Sequence, residues 1–239
     1  MVQQIPTETK PIIIYPDSDG QPMSDNTKQF RWIVTIKENL EILFTNNPEV
    51  FVAGDLLWYP VEGDNKTRVA PDAMVVFGRP KGDRGSYKQW LENNIPPQVV
   101  FEILSPSNTI KEMSKKMLFY QQYGVEEYYI YDPDEVELTG LIRSGDRLAE
   151  IEAINGWVSP RLGIKFVLNS DTLEIFRPDG QRFFTSVELD RLREQECQRA
   201  EEERQRAEEE RQRADREYQR AEKLAAKLRE LGIDPDLVD

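Results

Sequence analysis

Histidine is absent from this 239-residue chain, and Cys197 is its single cysteine. Without histidine there can be no Ser-His-Asp triad, no Cys-His pair and no imidazole metal ligand. One thiol permits neither a zinc–thiolate cluster nor an intrachain disulfide, which fits a reducing, cytoplasmic setting. Any metal site must therefore use oxygen donors, and these favour hard ions such as Mg2+ or Mn2+. Long apolar runs are also missing. None reaches the ~18 residues of a membrane-spanning helix, so no membrane span is expected. The opening MVQQIPTETKPIIIYPDSDG has no basic segment followed by an apolar one, and so is not read as a secretory leader. Positive charge is scarce: 31 Lys and Arg face 44 Asp and Glu, for a formal net charge of −13. Such a chain is not drawn to polyanions as a whole, so nucleic-acid binding would need a local basic surface.

Apolar residues make up 38% of the chain and charged residues 31%, respectively low and high for a globular domain, so a polar segment must dilute an ordinary core. That segment is C-terminal. From residue 198 the heptads QRAEEER, QRAEEER, QRADREY, QRAEKLA and AKLRELG repeat almost verbatim. Ala200, Ala207, Ala214, Ala221 and Leu228 form one seam, flanked by Cys197, Arg204, Arg211, Tyr218 and Ala225. Two arginines sit where a coiled coil wants Leu or Ile. The pairs Glu202–Arg206 and Glu209–Arg213 have the spacing that supports a solvated helix, at roughly 0.2–0.5 kcal/mol each. A weak coiled coil and a lone charged helix both fit. The organisation expected is an extended arm over 1–27 with an apolar patch at Ile12–Tyr15, a domain over 28–190, and a charged heptad helix over 191–239.

Within the domain, apolar positions 33, 36, 40 and 43 predict a helix over 28–46. EVFVAGDLLWYPV, VAPDAMVVFG, VVFEILSP and EEYYIYDP read as strands. VVFEILSP is apolar on both faces, which places it centrally in a mixed or parallel sheet. A helix capped by Asn108 or Thr109, with Glu112 three residues after Thr109, runs to about Tyr123 and stops at Gly124. Residues 135–184 alternate short apolar runs with turn signals, predicting a β-rich extension of hairpins. The fold class is α/β, with a central mixed sheet flanked by helices.

Glu102 is the sharpest anomaly. A carboxylate in an apolar central strand costs several kcal/mol unless it is paired or metal-bound. Asp72, in the neighbouring predicted strand, poses the same problem. Facing carboxylates repel each other, and a divalent cation relieves that repulsion. Such a pair suits metal-assisted phosphodiester hydrolysis, with a lysine to orient the attacking water or stabilise developing charge. Helix geometry chooses the lysine. At about 100° per residue from Met113, Met117, Tyr120 and Gly124 fall within about 40°, Lys116 lies about 60° off and Lys115 about 160°. Lys116 can reach the sheet, whereas Lys115 points to solvent.

Asp72 in a PD pair, Glu102 in EILSPS, Lys116 four residues before Tyr120, and then YGVEEYYIYDP together resemble the Uma-two family of restriction-endonuclease-like proteins. That family looks like a branch of the PD-(D/E)XK nuclease superfamily. The resemblance covers about residues 30–140 and implies a restriction-endonuclease-like core that cleaves DNA with Mg2+ or Mn2+. It implies Asp72, Glu102 and the Ile103 carbonyl as metal ligands, with Lys116 positioning the water. In the superfamily the lysine usually stands two residues after the glutamate. Leu104 occupies that place here, and the lysine has moved to the helix. A third acidic ligand could be Asp55 or Glu41. Arg79, Lys81, Arg84 and Lys88, set against Asp83, form a basic loop that could hold phosphates, with Tyr87 and Trp90 near it. DNA is the expected partner, with RNA left open. A homodimer is expected on the ground that cutting two strands needs two sites. The rival reading is a catalytically inactive nuclease-fold adaptor that binds partners through its helical tail.

Overall fold

The computed structural model describes residues 13–18, 20 and 22–232. The chain divides into two compact units at the Thr185–Ser186 junction. The first unit is mixed α/β. Its elements run α1 (Thr27–Leu43), β1 (Val50–Ala53), β2 (Trp58–Tyr59), β3 (Ala73–Phe77), β4 (Tyr87–Lys88), β5 (Val99–Ile103), α2 (Ile110–Tyr123), β6 (Glu127–Asp132), β7 (Glu137–Ser144), β8 (Arg147–Glu150), β9 (Lys165–Leu168) and β10 (Leu173–Phe176). Six strands form one sheet in the order β1-β3-β5-β6-β7-β8. β5 and β6 are parallel, as a crossover through α2 requires, and the other neighbours in this sheet are antiparallel. β9 pairs with β10, and β2 pairs in parallel with β4.

Alternation along the central strands makes two cores. Ala73, Val75, Val99, Phe101 and Ile103 face the layer that holds Ile33, Ile36 and Leu40 of α1. Met74, Val76 and Val100 face the other layer, with Tyr128 and with Tyr120 of α2. Both helices are capped as polar residues before an apolar stripe should cap them. The Asn26 side chain accepts the Lys28 and Gln29 amides, and Thr109 Oγ1 accepts the Glu112 amide. α2 ends at Gly124 in the left-handed region, at φ 94°, where glycine carries no Cβ penalty.

Several boundaries differ from the expectation. Asp72 lies just before β3 rather than inside a strand. The hairpin β7–β8 is not an extension but continues the central sheet beyond β6; only β9–β10 stands apart. Turn signals reveal hairpins but do not say which strand edge receives them, because backbone hydrogen bonding is independent of the side chains. In the N-terminal arm, Tyr15 packs on Tyr59 and Trp90, with ring centroids 5.3 and 5.0 Å apart; Ile12, at the other end of the expected patch, lies outside the described residues.

The second unit contains α3 (Ser186–Glu230), 45 residues with none buried. It begins five residues before the expected boundary. Arg213 pairs with Glu217 at 3.2 Å, one turn on, rather than with Glu209 behind it. Among the described residues no helix is long and apolar enough to cross a membrane.

Candidate active site

Ala73 of β3 is paired with Phe101 of β5. One further step of this antiparallel register sets Asp72 opposite Glu102, and strand alternation sends both toward the α2 layer. Glu102 is 2% exposed. Its Oε2 accepts from Lys116 Nζ at 2.8 Å, and its Oε1 accepts a short hydrogen bond from the Tyr120 hydroxyl. Lys116 and Tyr120 are four residues apart, so they share one face of α2. Burial pushes the Glu102 carboxyl upward, against the opposing pull of Lys116 and Tyr120. Burial alone would lower the Lys116 ammonium, but the charge and hydrogen bond of Glu102, joined by the charges of Asp72 and Glu112, together outweigh it and raise it above its ordinary value.

Asp72 is nearly as buried as Glu102, and its Oδ2 accepts the Ile103 backbone amide at 2.6 Å. Burial first, and then the neighbouring Glu102 charge, hold this carboxyl well above the ordinary 3.8. The Ile103 carbonyl accepts from Gln29 Nε2 at 2.8 Å. Thus the last residue of β5, where β3 no longer accompanies it, is held by two side chains through both its backbone N–H and its carbonyl. Tyr128 lies on the same side of the sheet, its ring centroid 4.9 Å from that of Tyr120. Among the described residues its buried hydroxyl has no hydrogen-bond partner.

Asp72, Lys116 and Gln29 line a cleft of about 380 Å³, together with Asp25, Asp55, Arg68 and Glu112, while Glu102 stays buried behind Lys116. Asp55, one of the two candidates for a third acidic ligand, belongs to this cleft. Its backbone is left-handed at φ 48°, and its amide donates to the Pro71 carbonyl at 3.0 Å. Glu41, the other candidate, does not: it pairs with Lys37 at 2.5 Å and lines a separate cavity. Asp25 accepts from Ser105 and Ser107, and these hydrogen bonds hold its carboxyl below the usual range. Lys115 is exposed on the far side of α2.

Among the described residues no three Asp, Glu or Cys side chains converge as a metal cluster. Mg2+ needs no such cage, since it commonly takes one or two carboxylates and keeps its waters. Asp72, Glu102 and the Ile103 carbonyl therefore suit a hard cation in donor type and number, although Lys116 and Tyr120 occupy both oxygens of Glu102 here.

In the basic loop both arginines are already engaged by an acid. Arg79 and Arg84 both grip Glu92, each through Nε at 2.7 Å, and Arg84 also covers the Phe51 ring at 3.9 Å. Glu92 lies beyond the segment 79–88, so charge counted over that segment alone misses it. Lys88 sits 5.7 Å over Tyr15, and Lys81 lines the cavity beside Glu41. Neither they nor the arginines line the Asp72 cleft. Tyr87 is buried, with its hydroxyl on the Ile95 carbonyl.

Sequence reasoning missed Asp25, Gln29, Arg68 and Glu112 as cleft residues, and missed Tyr120 as a donor to Glu102. Gln29 left a usable signal: it heads the buried stripe of α1 that continues through Ile33, Ile36 and Leu40.

No curated protein matches the chain. One solved structure, a “putative nuclease belonging to DUF820” from Anabaena variabilis, is 17% identical over 56% of this chain and 72% of that one, with a TM-score of 0.42. The sequence model of the Uma2 family, described as “Putative restriction endonuclease”, matches residues 6–169. That span holds Asp72, Glu102, Lys116 and the whole of the cleft, and it is well over half of the chain: this protein belongs to the Uma2 family.

Proposed function

We propose that this chain is a nuclease that hydrolyses DNA phosphodiester bonds with a hard divalent cation, Mg2+ or Mn2+. The observation that carries the reading is the pairing of Asp72 and Glu102 on one face of adjacent chain segments, with Asp72 lining an open cleft, Glu102 buried beside it, and a lysine from the next helix reaching both Glu102 and the cleft. Family membership points the same way. Asp72, Glu102 and the Ile103 carbonyl would hold the ion. When bound, the ion supplies an activated water and neutralises charge on the phosphate. The protein's own groups do the rest. The Ile103 amide fixes one Asp72 oxygen. Tyr120 orients Glu102 from the buried side. Lys116 keeps its proton at Nζ and presents a positive charge to the water and to the developing phosphorane.

A second reading has one observation in its favour. Both Glu102 oxygens are already satisfied by side chains, as they would be in a nuclease fold kept as an inactive adaptor. Plasmid cleavage with Mg2+, with Mn2+ and with EDTA separates the two readings. The nuclease reading expects metal-dependent cutting that falls by at least about a hundredfold in Asp72→Asn, Glu102→Gln and Lys116→Ala, in keeping with the loss of electrostatic or acid–base groups. Equal nicking by all variants, unaffected by EDTA, would leave only the adaptor.

A further inference from the structure

We propose that Arg68 is the phosphate-binding residue of this cleft, gripping a backbone phosphate of the nucleic acid beside the scissile bond; this rests on the nuclease reading above. The argument begins with charge. Asp25, Asp55, Asp72 and Glu112 all line the cleft, in a chain of net charge −13. A polyanion can settle there only against fixed positive groups. Among the described residues two cationic side chains line the cleft, Lys116 and Arg68. Lys116 is committed: it lies 2.8 Å from Glu102 and 3.9 Å from Glu112. Arg68 is not. Among the described residues no carboxylate lies within ion-pair distance of its guanidinium, despite four acids around the same cleft.

Arg68 is nonetheless held in place. Its Nη1 donates to the Asn65 carbonyl at 2.9 Å. Its guanidinium carbon lies 5.9 Å from the centroid of the Tyr59 ring. The next residue, Val69, exchanges both backbone hydrogen bonds with Trp58, at 2.7 and 3.2 Å. One of five N–H donors is therefore engaged on a backbone that cannot drift, and the others remain for a ligand. A planar fork of this kind matches two oxygens of a phosphate, which a lysine can meet only as a point charge. The two arginines of the 79–88 loop, by contrast, are closed off by Glu92. Phosphate recognition falls to a residue three positions before the Pro71-Asp72 pair and lining the same cleft as Asp72, where it can act on the phosphate that the catalytic groups attack or on its neighbour.

The test is a salt titration. Full-length Asp72→Asn protein, which would not consume the probe, is titrated with a short fluorescein-labelled DNA duplex, and anisotropy is followed over a range of KCl. Arg68→Gln and Arg68→Lys are added to that background. Glutamine keeps much of the stem and a donor for Asn65 but removes the charge. The expected result is that Arg68→Gln weakens binding on the order of tenfold at low salt and lowers the slope of log K against log[KCl] by about 0.9, the value for one phosphate contact. Arg68→Lys should restore the slope. An unchanged slope in Arg68→Gln overturns the assignment while leaving the nuclease reading intact. Absence of duplex binding by the parent protein at any salt overturns both. Thermal melting of each variant checks that the fold is kept, and Arg68→Met, which keeps the apolar stem and removes the charge, is read by the same slope criterion should the glutamine variant fail to fold.

Discussion

At the scale of single residues, Asp72 is a group that the fold keeps at a disadvantage. Its ionised form is buried, stands opposite Glu102 and is compensated by one backbone amide. A folded-state value raised above the unfolded one means that the native protein binds this proton more tightly. The associated stability is complete below about pH 4, the ordinary carboxylate value, and is lost as pH rises through the raised native value. Asp72→Asn removes that loss while its amide oxygen can still accept from Ile103. In metal-free buffer at neutral pH the variant should melt roughly 2–4 °C higher than wild type, corresponding to about 1 kcal/mol for a domain of this size, and the difference should shrink toward pH 4. A lower melting temperature for the variant at neutral pH would mean that Asp72 is a stabilising structural acid. Such a cost in stability is what a buried carboxylate pair only partly offset by Lys116 and one backbone amide predicts. It is also why Asp72 and Glu102 are legible in the sequence alone: an acid inside or beside an apolar run contradicts its surroundings. Arg68, Gln29 and Asp25 were less conspicuous, because a polar residue in a polar stretch raises no local conflict, and only the fold brings the three to one cleft.

At the scale of elements, α2 is the part on which the site turns, since it delivers both Lys116 and Tyr120 to Glu102. Its start and stop were readable, because Thr109 and Gly124 are short-range signals that act through adjacent backbone. Its far end is held by a group that local reading could not reach. Arg143 on β7 donates through Nε to the Val125 carbonyl at 2.8 Å and through Nη2 to the Gln121 carbonyl at 2.7 Å. A cation at a helix C-terminus satisfies carbonyls that have no intrahelical partner and opposes the negative end of the helix dipole. The contact exists only because β7 joins the central sheet next to β6, the arrangement that turn signals could not specify. Arg143→Ala should cost about 1–3 kcal/mol in urea denaturation, the range for hydrogen bonds to a charged group. It should lower the midpoint and leave the slope nearly unchanged. A midpoint equal to that of wild type would show that Gly124 and the apolar face of α2 fix the helix end without help.

At the scale of the whole molecule, the family match covers residues 6–169 and stops before α3. The first unit carries both apolar cores and every site residue discussed, so it has what a domain needs to fold by itself. The terminal helix has the opposite character: 45 residues, none buried, with Ala and Leu at one seam position and Cys, Arg, Tyr and Ala at the other. Its repeat was legible because heptads are a periodic signal. Whether it pairs was not, because two arginines in the seam weaken the apolar argument without abolishing it. A helix polar on nearly every side is held either by its own ion pairs or by a companion, and the ion pairs on this one are exposed ones of little worth. A second copy of the chain is the companion that a strict seven-residue repeat serves best, since two identical helices in register pair every alanine layer at once. Light scattering on the full-length protein is therefore expected to give the mass of two chains, and on a chain ending at Thr185 the mass of one. Metal-dependent plasmid cutting should persist in the shortened chain, although double-strand breaks should give way to single nicks once two sites are no longer tethered. The same mass with and without the helix would remove it as the dimerisation element, and the two-strand argument would have to find its second site elsewhere.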